Sequence, residues 1–124
     1  MLNTPNISEA EWEVMRVIWE KSPIPANEVV ERLGPLRGWS PRTVKTMLNR
    51  LVRKGALAFE AEGKRYLYRP RVTRDQCVRM ESRSFLDRVF GGAAAPMLDY
   101  FVRNTRLSAE EIAELRRILS RKGK

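Results

Sequence analysis

The sequence predicts a mainly α-helical protein with one small β-hairpin: a winged helix-turn-helix followed by a three-helix C-terminal dimerisation domain. Three observations carry that fold class. The stretch from Ser40 to Gly55 is a capped amphipathic helix with an apolar back and a basic front. After Gly55 the period changes from helical to alternating, over two short runs joined by Glu62-Gly63-Lys64. Beyond Val72 three further helical stretches follow, which places a domain boundary between residues 72 and 73.

The first helix opens at Ile7-Ser8-Glu9-Ala10-Glu11, where Ser8 and Glu11 form a capping box and Ile7 an apolar staple. Trp12, Met15, Ile18 and Trp19 recur at helical spacing as its core face. Ser22-Pro23-Ile24-Pro25 stops it and favours an extended link, with a short edge strand at Ile24. Ala26 to Leu33 reads as a second helix that turns Val29, Val30 and Leu33 inward and ends at Gly34-Pro35. Arg37-Gly38-Trp39 is the turn into the third helix, with Trp39 packing the turn.

The third helix has Ser40 as N-cap, Pro41 in its first turn and Gly55 as the left-handed residue past its end. At about 100° per residue, Arg42, Thr46, Asn49 and Arg53 fall within a sector of roughly 60°, with Lys45 and Arg50 beside them. Val44, Leu48 and Leu51 lie opposite. Such a helix docks by its back and offers Arg, Thr and Asn to a major groove, while Ser40 and Thr43 reach phosphate at its start. Ala56 to Ala61 and Arg65 to Arg71 are the two strands of the wing, and Lys64 and Arg65 at its tip reach phosphate or the minor groove.

Charge separates this face from an ordinary solvated one. Between Arg37 and Arg71 there are ten Lys or Arg and only two acids, Glu60 and Glu62, within a chain of net charge +9. Nearly all of the excess therefore lies in one third of the sequence. Concentrated positive charge favours a polyanion through counterion release, and double-stranded DNA is the expected partner.

The remaining composition narrows the function. There is no histidine and a single cysteine, Cys77, so a Cys/His metal site fails on ligand count and no internal disulfide forms. Cys77, near Val78 and Met80, reads as a small buried residue. No phosphate-binding glycine loop and no nucleophile–base pair occurs, so no enzyme, cofactor or metal is expected. No apolar run approaches the ~20 residues of a membrane span. No signal peptide is recognised, and a cytoplasmic location is the expectation.

In the second part, Thr73 and Gln76 cap a helix that runs to about Phe90, with Val78, Phe85, Leu86 and Val89 on one side and Gly91-Gly92 at its end. Ala93 to Pro96 start a short helix with Met97, Leu98, Phe101 and Val102, broken at Asn104-Thr105-Arg106. Ser108 and Glu111 cap the last, striped by Ile112, Leu115 and Leu119, with a basic tail fraying from Ser120. These helices carry more apolar face than about fifty residues can bury alone, which points to a homodimer with two-fold symmetry. The alternative is that they fold back on their own N-terminal domain.

Ile7-Ser8-Glu9-Ala10-Glu11-Trp12-Glu13-Val14-Met15 with Ile18-Trp19 resembles the opening of the penicillinase-repressor family, the BlaI/MecI type. Ala26-Asn27-Glu28-Val29-Val30 resembles its second helix, and Thr43-Val44-Lys45-Thr46, Arg50-Leu51 and Lys54-Gly55 its recognition helix. Phe85-Leu86, Phe90-Gly91-Gly92 and Glu110-Glu111-Ile112-Ala113-Glu114-Leu115 resemble its dimerisation part. The resemblance implies a dimeric repressor on a palindromic operator that silences a beta-lactamase or resistance operon. It also implies release when a membrane sensor-protease leads to cleavage in the dimerisation part. The family's Asn-Phe cleavage bond matches Tyr100-Phe101 here, so Tyr stands where the family has Asn. The family's copper-responsive branch carries a C-terminal cysteine cluster that this chain lacks. Two other readings stay open: a winged-helix module that binds an acidic protein, and a repressor with a non-proteolytic inducer.

Overall fold

The computed structural model describes residues 4–123. The chain runs α1 (Glu9–Glu20), β1 (Ile24–Pro25), α2 (Ala26–Arg37), α3 (Pro41–Arg53), β2 (Leu57–Glu62), β3 (Arg65–Pro70), α4 (Arg74–Phe90), α5 (Ala94–Asn104) and α6 (Ala109–Lys122). The strands form one antiparallel sheet in the order β1-β3-β2. Helix, helix, helix and hairpin in that order make a winged helix-turn-helix, as the sequence predicts.

Local signals set most boundaries. Ser8 accepts from the Glu11 backbone N–H at 3.2 Å, and Glu11 accepts from the Ser8 N–H at 2.9 Å. The same reciprocal box closes at Thr73 and Gln76, and again at Ser108 and Glu111. Each satisfies helix-start donors that have no partner within their own helix. The wing turns on Gly63-Lys64, and Gly63 has φ 64°, which fits the first central position of a type II′ hairpin turn.

Two expectations about helix ends are corrected. α2 does not stop at Gly34-Pro35 but continues to Arg37. Pro35 lies in the last turn, where only one helical hydrogen bond is lost, and Gly38 at φ 68° closes the helix with its N–H on the Gly34 carbonyl at 2.7 Å. α6 keeps helical form through Lys122 instead of fraying from Ser120, and Lys124 lies outside the described residues. Arg121 and Lys122 sit at the negative end of that helix, where cations are favoured.

The chain forms two compact units, the first ending at Ser82 and the second beginning at Arg83. The first unit holds a closed core. Val14, Met15 and Ile18 of α1, Val29 and Leu33 of α2, and Val44, Leu48 and Leu51 of α3 meet Ile24, Ala56, Leu57 and Tyr68 of the sheet region. Cys77, in the first turns of α4, completes this core, and burial pushes its thiol up, so it stays protonated and inert at neutral pH. Trp12 and Trp19 pack edge to face at 5.4 Å on the rim, and Trp19 donates its indole N–H to the Val72 carbonyl at 2.9 Å. That bond ties α1 to the segment leaving the wing.

The second unit is built differently. Neither α5 nor α6 has a buried residue. Phe85 stacks on Phe101 at 6.0 Å and lies 5.9 Å from Phe90, but these rings stay partly open to solvent. Val89, Leu98, Tyr100, Phe101, Val102, Ile112, Ile118 and Leu119 are all exposed.

Candidate nucleic-acid interface

Helix α3 is held from behind. Val44, Leu48 and Leu51 have no exposed surface, and Met47 and Val52 pack at the edges of the same face. Full burial of each such side chain stabilises by roughly 1.5–3 kcal/mol, so the helix cannot roll without losing several of them. The opposite face is thereby fixed outward. Arg42, Lys45, Thr46, Asn49, Arg50 and Arg53 are all exposed. The sector deduced from helical spacing is the one the core leaves free.

The charges on this face are unneutralised. Among the described residues, Arg42, Lys45, Arg50 and Arg53 have no carboxylate within salt-bridge distance, and neither has Lys64 at the wing tip. Other bases of the same stretch are paired: Arg37 with Glu13, Arg65 with Glu62 at 3.1 Å, and Arg69 with Glu60 at 3.1 Å. Glu60 and Glu62 thus serve wing arginines. Among the described residues no group of three or more His, Cys, Asp or Glu could hold a metal ion.

The start of α3 presents two hydroxyls. Ser40 Oγ accepts from the Thr43 N–H at 3.2 Å and lies 3.0 Å from Thr43 Oγ1. Thr46 donates its hydroxyl to the Arg42 carbonyl at 2.9 Å. Its methyl and oxygen lone pairs are what remain for a base edge.

The wing meets this face across a concave surface of about 400 Å³. Lys45 and Asn49 of α3, Lys64, Arg65, Tyr66 and Tyr68 of the wing, and Ala26 and Asn27 at the start of α2 line it. Four of the predicted residues, Lys45, Asn49, Lys64 and Arg65, are brought together here; Arg42, Arg50 and Arg53 lie along α3 outside it. Sequence reasoning missed Ala26, Asn27, Tyr66 and Tyr68 as lining residues. A signal was present for the tyrosines, since alternation puts them on one face. Phe59 stands opposite Tyr68 in the sheet register and packs on Tyr66 at 4.8 Å and Tyr68 at 5.9 Å. Burial raises the Tyr68 phenol above its ordinary value, with Tyr66 adding to the shift. The exposed Tyr66 therefore stands on a row of rings rooted in the core.

A helix seated by an apolar back, with an unpaired basic front and a hairpin beside it, defines a DNA-binding transcription regulator of the winged-helix class. The penicillinase repressor family model matches residues 7–121. The chain belongs to that family, whose members are transcriptional repressors and not enzymes. It is 44% identical to the penicillinase repressor of Bacillus licheniformis over 119 residues, 96% of this chain and 93% of that protein. It is 37% identical to the methicillin resistance regulatory protein MecI of Mammaliicoccus sciuri over 119 residues, 96% of this chain and 97% of that protein. The solution structure of the monomeric form of B. licheniformis BlaI in complex with the blaP half-operator superposes with a TM-score of 0.54 at 46% identity. That match covers 61% of this chain and 93% of the BlaI chain.

Proposed function

We propose that two copies of this chain bind a palindromic operator, and that the operator controls a beta-lactamase or related resistance operon. Arg42, Lys45, Thr46, Asn49, Arg50 and Arg53 read or flank base edges; Ser40 and Thr43 hold phosphate; Lys64 and Arg65 of the wing take the flanking backbone. The observation that carries this reading is the unneutralised front of α3, four cations on a helix whose other face is fully buried. The relatives' names supply the resistance context, and the BlaI–half-operator complex supports one half-site per winged helix. Half-sites about 34 Å apart on one duplex face suit a two-fold dimer. The C-terminal residues Val78, Phe85, Leu86, Val89, Met97, Phe101, Ile112, Leu115 and Leu119 form the dimer contact in this reading. A repressor at its operator works in the cytoplasm, and among the described residues no helix is long and apolar enough to cross a membrane.

Selection from random duplexes tests the operator. The expected result is enrichment of an inverted repeat bound by two chains. Arg42→Ala or Asn49→Ala then loses roughly 1–3 kcal/mol on that repeat and relaxes one position, while Lys64→Ala weakens all duplexes alike and lowers the salt slope by about 1. Equal losses on operator and random DNA from all three would remove base reading.

Release by a membrane sensor-protease is the second part of the proposal. Tyr100 and Phe101 are 55% and 41% exposed on α5, a helix with nothing buried to hold it. Such segments open locally at low cost. Cleavage of that bond would cut the link between two weak half-site contacts, and linkage of that kind is worth about 10²–10⁴ in affinity. A 1–100 fragment that dimerises and keeps full operator affinity would contradict release at this bond.

A further inference from the structure

Lys54 follows the last residue of α3 and belongs by sequence to the basic stretch, yet its ammonium is turned away from the DNA-facing side. It donates to the Asn6 carbonyl at 2.9 Å and to the Glu11 carboxylate. Glu11 is 2% exposed and is the one charged residue buried in the first unit among the described residues. Its carboxylate also closes the capping box on the Ser8 N–H at 2.9 Å. The start of α1 is thereby joined to the end of the recognition helix. Both charges also suit their positions, an anion at the positive end of α1 and a cation at the negative end of α3. Burying a carboxylate is unfavourable unless it is paired and hydrogen-bonded, and here two donors, the Ser8 N–H and the Lys54 ammonium, converge on it.

We infer that Glu11 and Lys54 are positioning residues for DNA recognition: the pair pins the C-terminal end of α3 to residues 6–11 and so fixes the angle at which Arg42, Asn49 and Arg53 meet the groove. The apolar back of α3 prevents rolling about its axis. Leu51, the part-buried Val52 and, just past the helix, Ala56 and Leu57 hold that end by apolar contact, which is non-directional. The pair lies between them and adds a directional restraint. Lys54 acts through α3 and touches no phosphate.

The inference rests on the DNA-binding reading, and one set of measurements separates the two. Full-length Lys54→Met, Glu11→Gln, the double variant, Lys54→Arg and Arg42→Ala are titrated with operator and random duplex over a range of salt, at a temperature where each is folded by circular dichroism. Glu11→Gln keeps an acceptor for the Ser8 N–H and removes only the charge. The expected result is a 3- to 10-fold loss of operator affinity for Lys54→Met and for Glu11→Gln, no further loss in the double variant, near-complete recovery in Lys54→Arg, and a salt slope equal to wild type throughout. The operator-to-random ratio falls with the loss, which a change in folding stability alone would not produce. A slope reduced by about 1 in Lys54→Met would make Lys54 a phosphate contact and overturn the inference. So would unchanged operator affinity in Lys54→Met while Arg42→Ala loses it. Failure of Arg42→Ala to weaken binding would instead overturn the DNA-binding face itself.

Discussion

The two compact units of this chain solve the problem of an apolar face in opposite ways. The first, ending at Ser82, closes its core with residues from four helices, the sheet region and Ile7: among the described residues, fifteen hydrophobic side chains of which eleven keep 1% exposure or less. The second, from Arg83, has no buried residue in α5 or α6 and leaves Leu98, Phe101, Val102, Ile112, Ile118 and Leu119 open. A closed core lets the winged helix stand alone and offer an unpaired polar face to DNA. An open apolar surface of this kind is what the proposed dimer would cover, with a second copy of the chain that also doubles the DNA contacts.

Breaking the open unit gives the largest expected effect. Phe101→Asp or Leu115→Asp places a charge in the proposed contact, where it lacks a partner. Sedimentation is expected to show a monomer, and operator affinity to drop by about 10²-fold or more, since linkage of two sites contributes about 10²–10⁴. Binding to an isolated half-site should not change. A variant that sediments as a monomer yet holds the full operator as wild type would remove the reason for pairing.

Cutting core rather than surface sharpens the contrast. Leu48→Ala, on the buried back of α3, should destabilise the first unit by about 2–5 kcal/mol in denaturant melts. Leu119 is 61% exposed, so Leu119→Ala should leave a dilute monomeric sample nearly unchanged and act only on association. If both truncations cost the same in a monomer, then the second unit has a core of its own and the comparison fails.

The first unit was largely legible in the sequence because its signals are local. Ser8, Ser40 and Thr73 carry their own capping partners within three residues, and Val44, Leu48 and Leu51 betray the buried side of α3 by spacing alone. The continuation of α2 past Gly34-Pro35 was not legible, because a proline in a last turn is tolerated and the deciding residue was Gly38. The concave surface was legible only by halves. Lys45 and Asn49 announce themselves on a helix and Lys64 and Arg65 on a turn, but Ala26, Asn27 and Tyr66 join them through tertiary placement, which no periodicity encodes. The same holds for Lys54, which charge counting includes in the basic stretch and folding pairs with Glu11. In the second unit the helices were legible and their occupant was not, since an exposed stripe states that something covers it without saying what.

The smallest expected effect probes the polar contact inside the closed unit. Burial pushes the Glu11 carboxyl up, but the hydrogen bonds from Lys54 and Ser8 and the nearby Lys54 charge together outweigh it, so Glu11 lies below its ordinary value of 4.5. A carboxylate held lower in the folded state than in the unfolded one stabilises the fold above the unfolded value, and that contribution fades as pH falls through the folded one. Wild type should therefore melt above Glu11→Gln at pH 7, by an amount equivalent to about 1–2 kcal/mol for hydrogen bonds to a charged group, with Lys54 partly open to water. The gap should hold down to about pH 5 and shrink as the solution drops through and below 4.5. Thermal melts of the two proteins across that range measure it directly, and because both keep the capping box and the comparison subtracts every other carboxylate, a gap that stays constant into acid would mean that the gap does not come from the Glu11 charge.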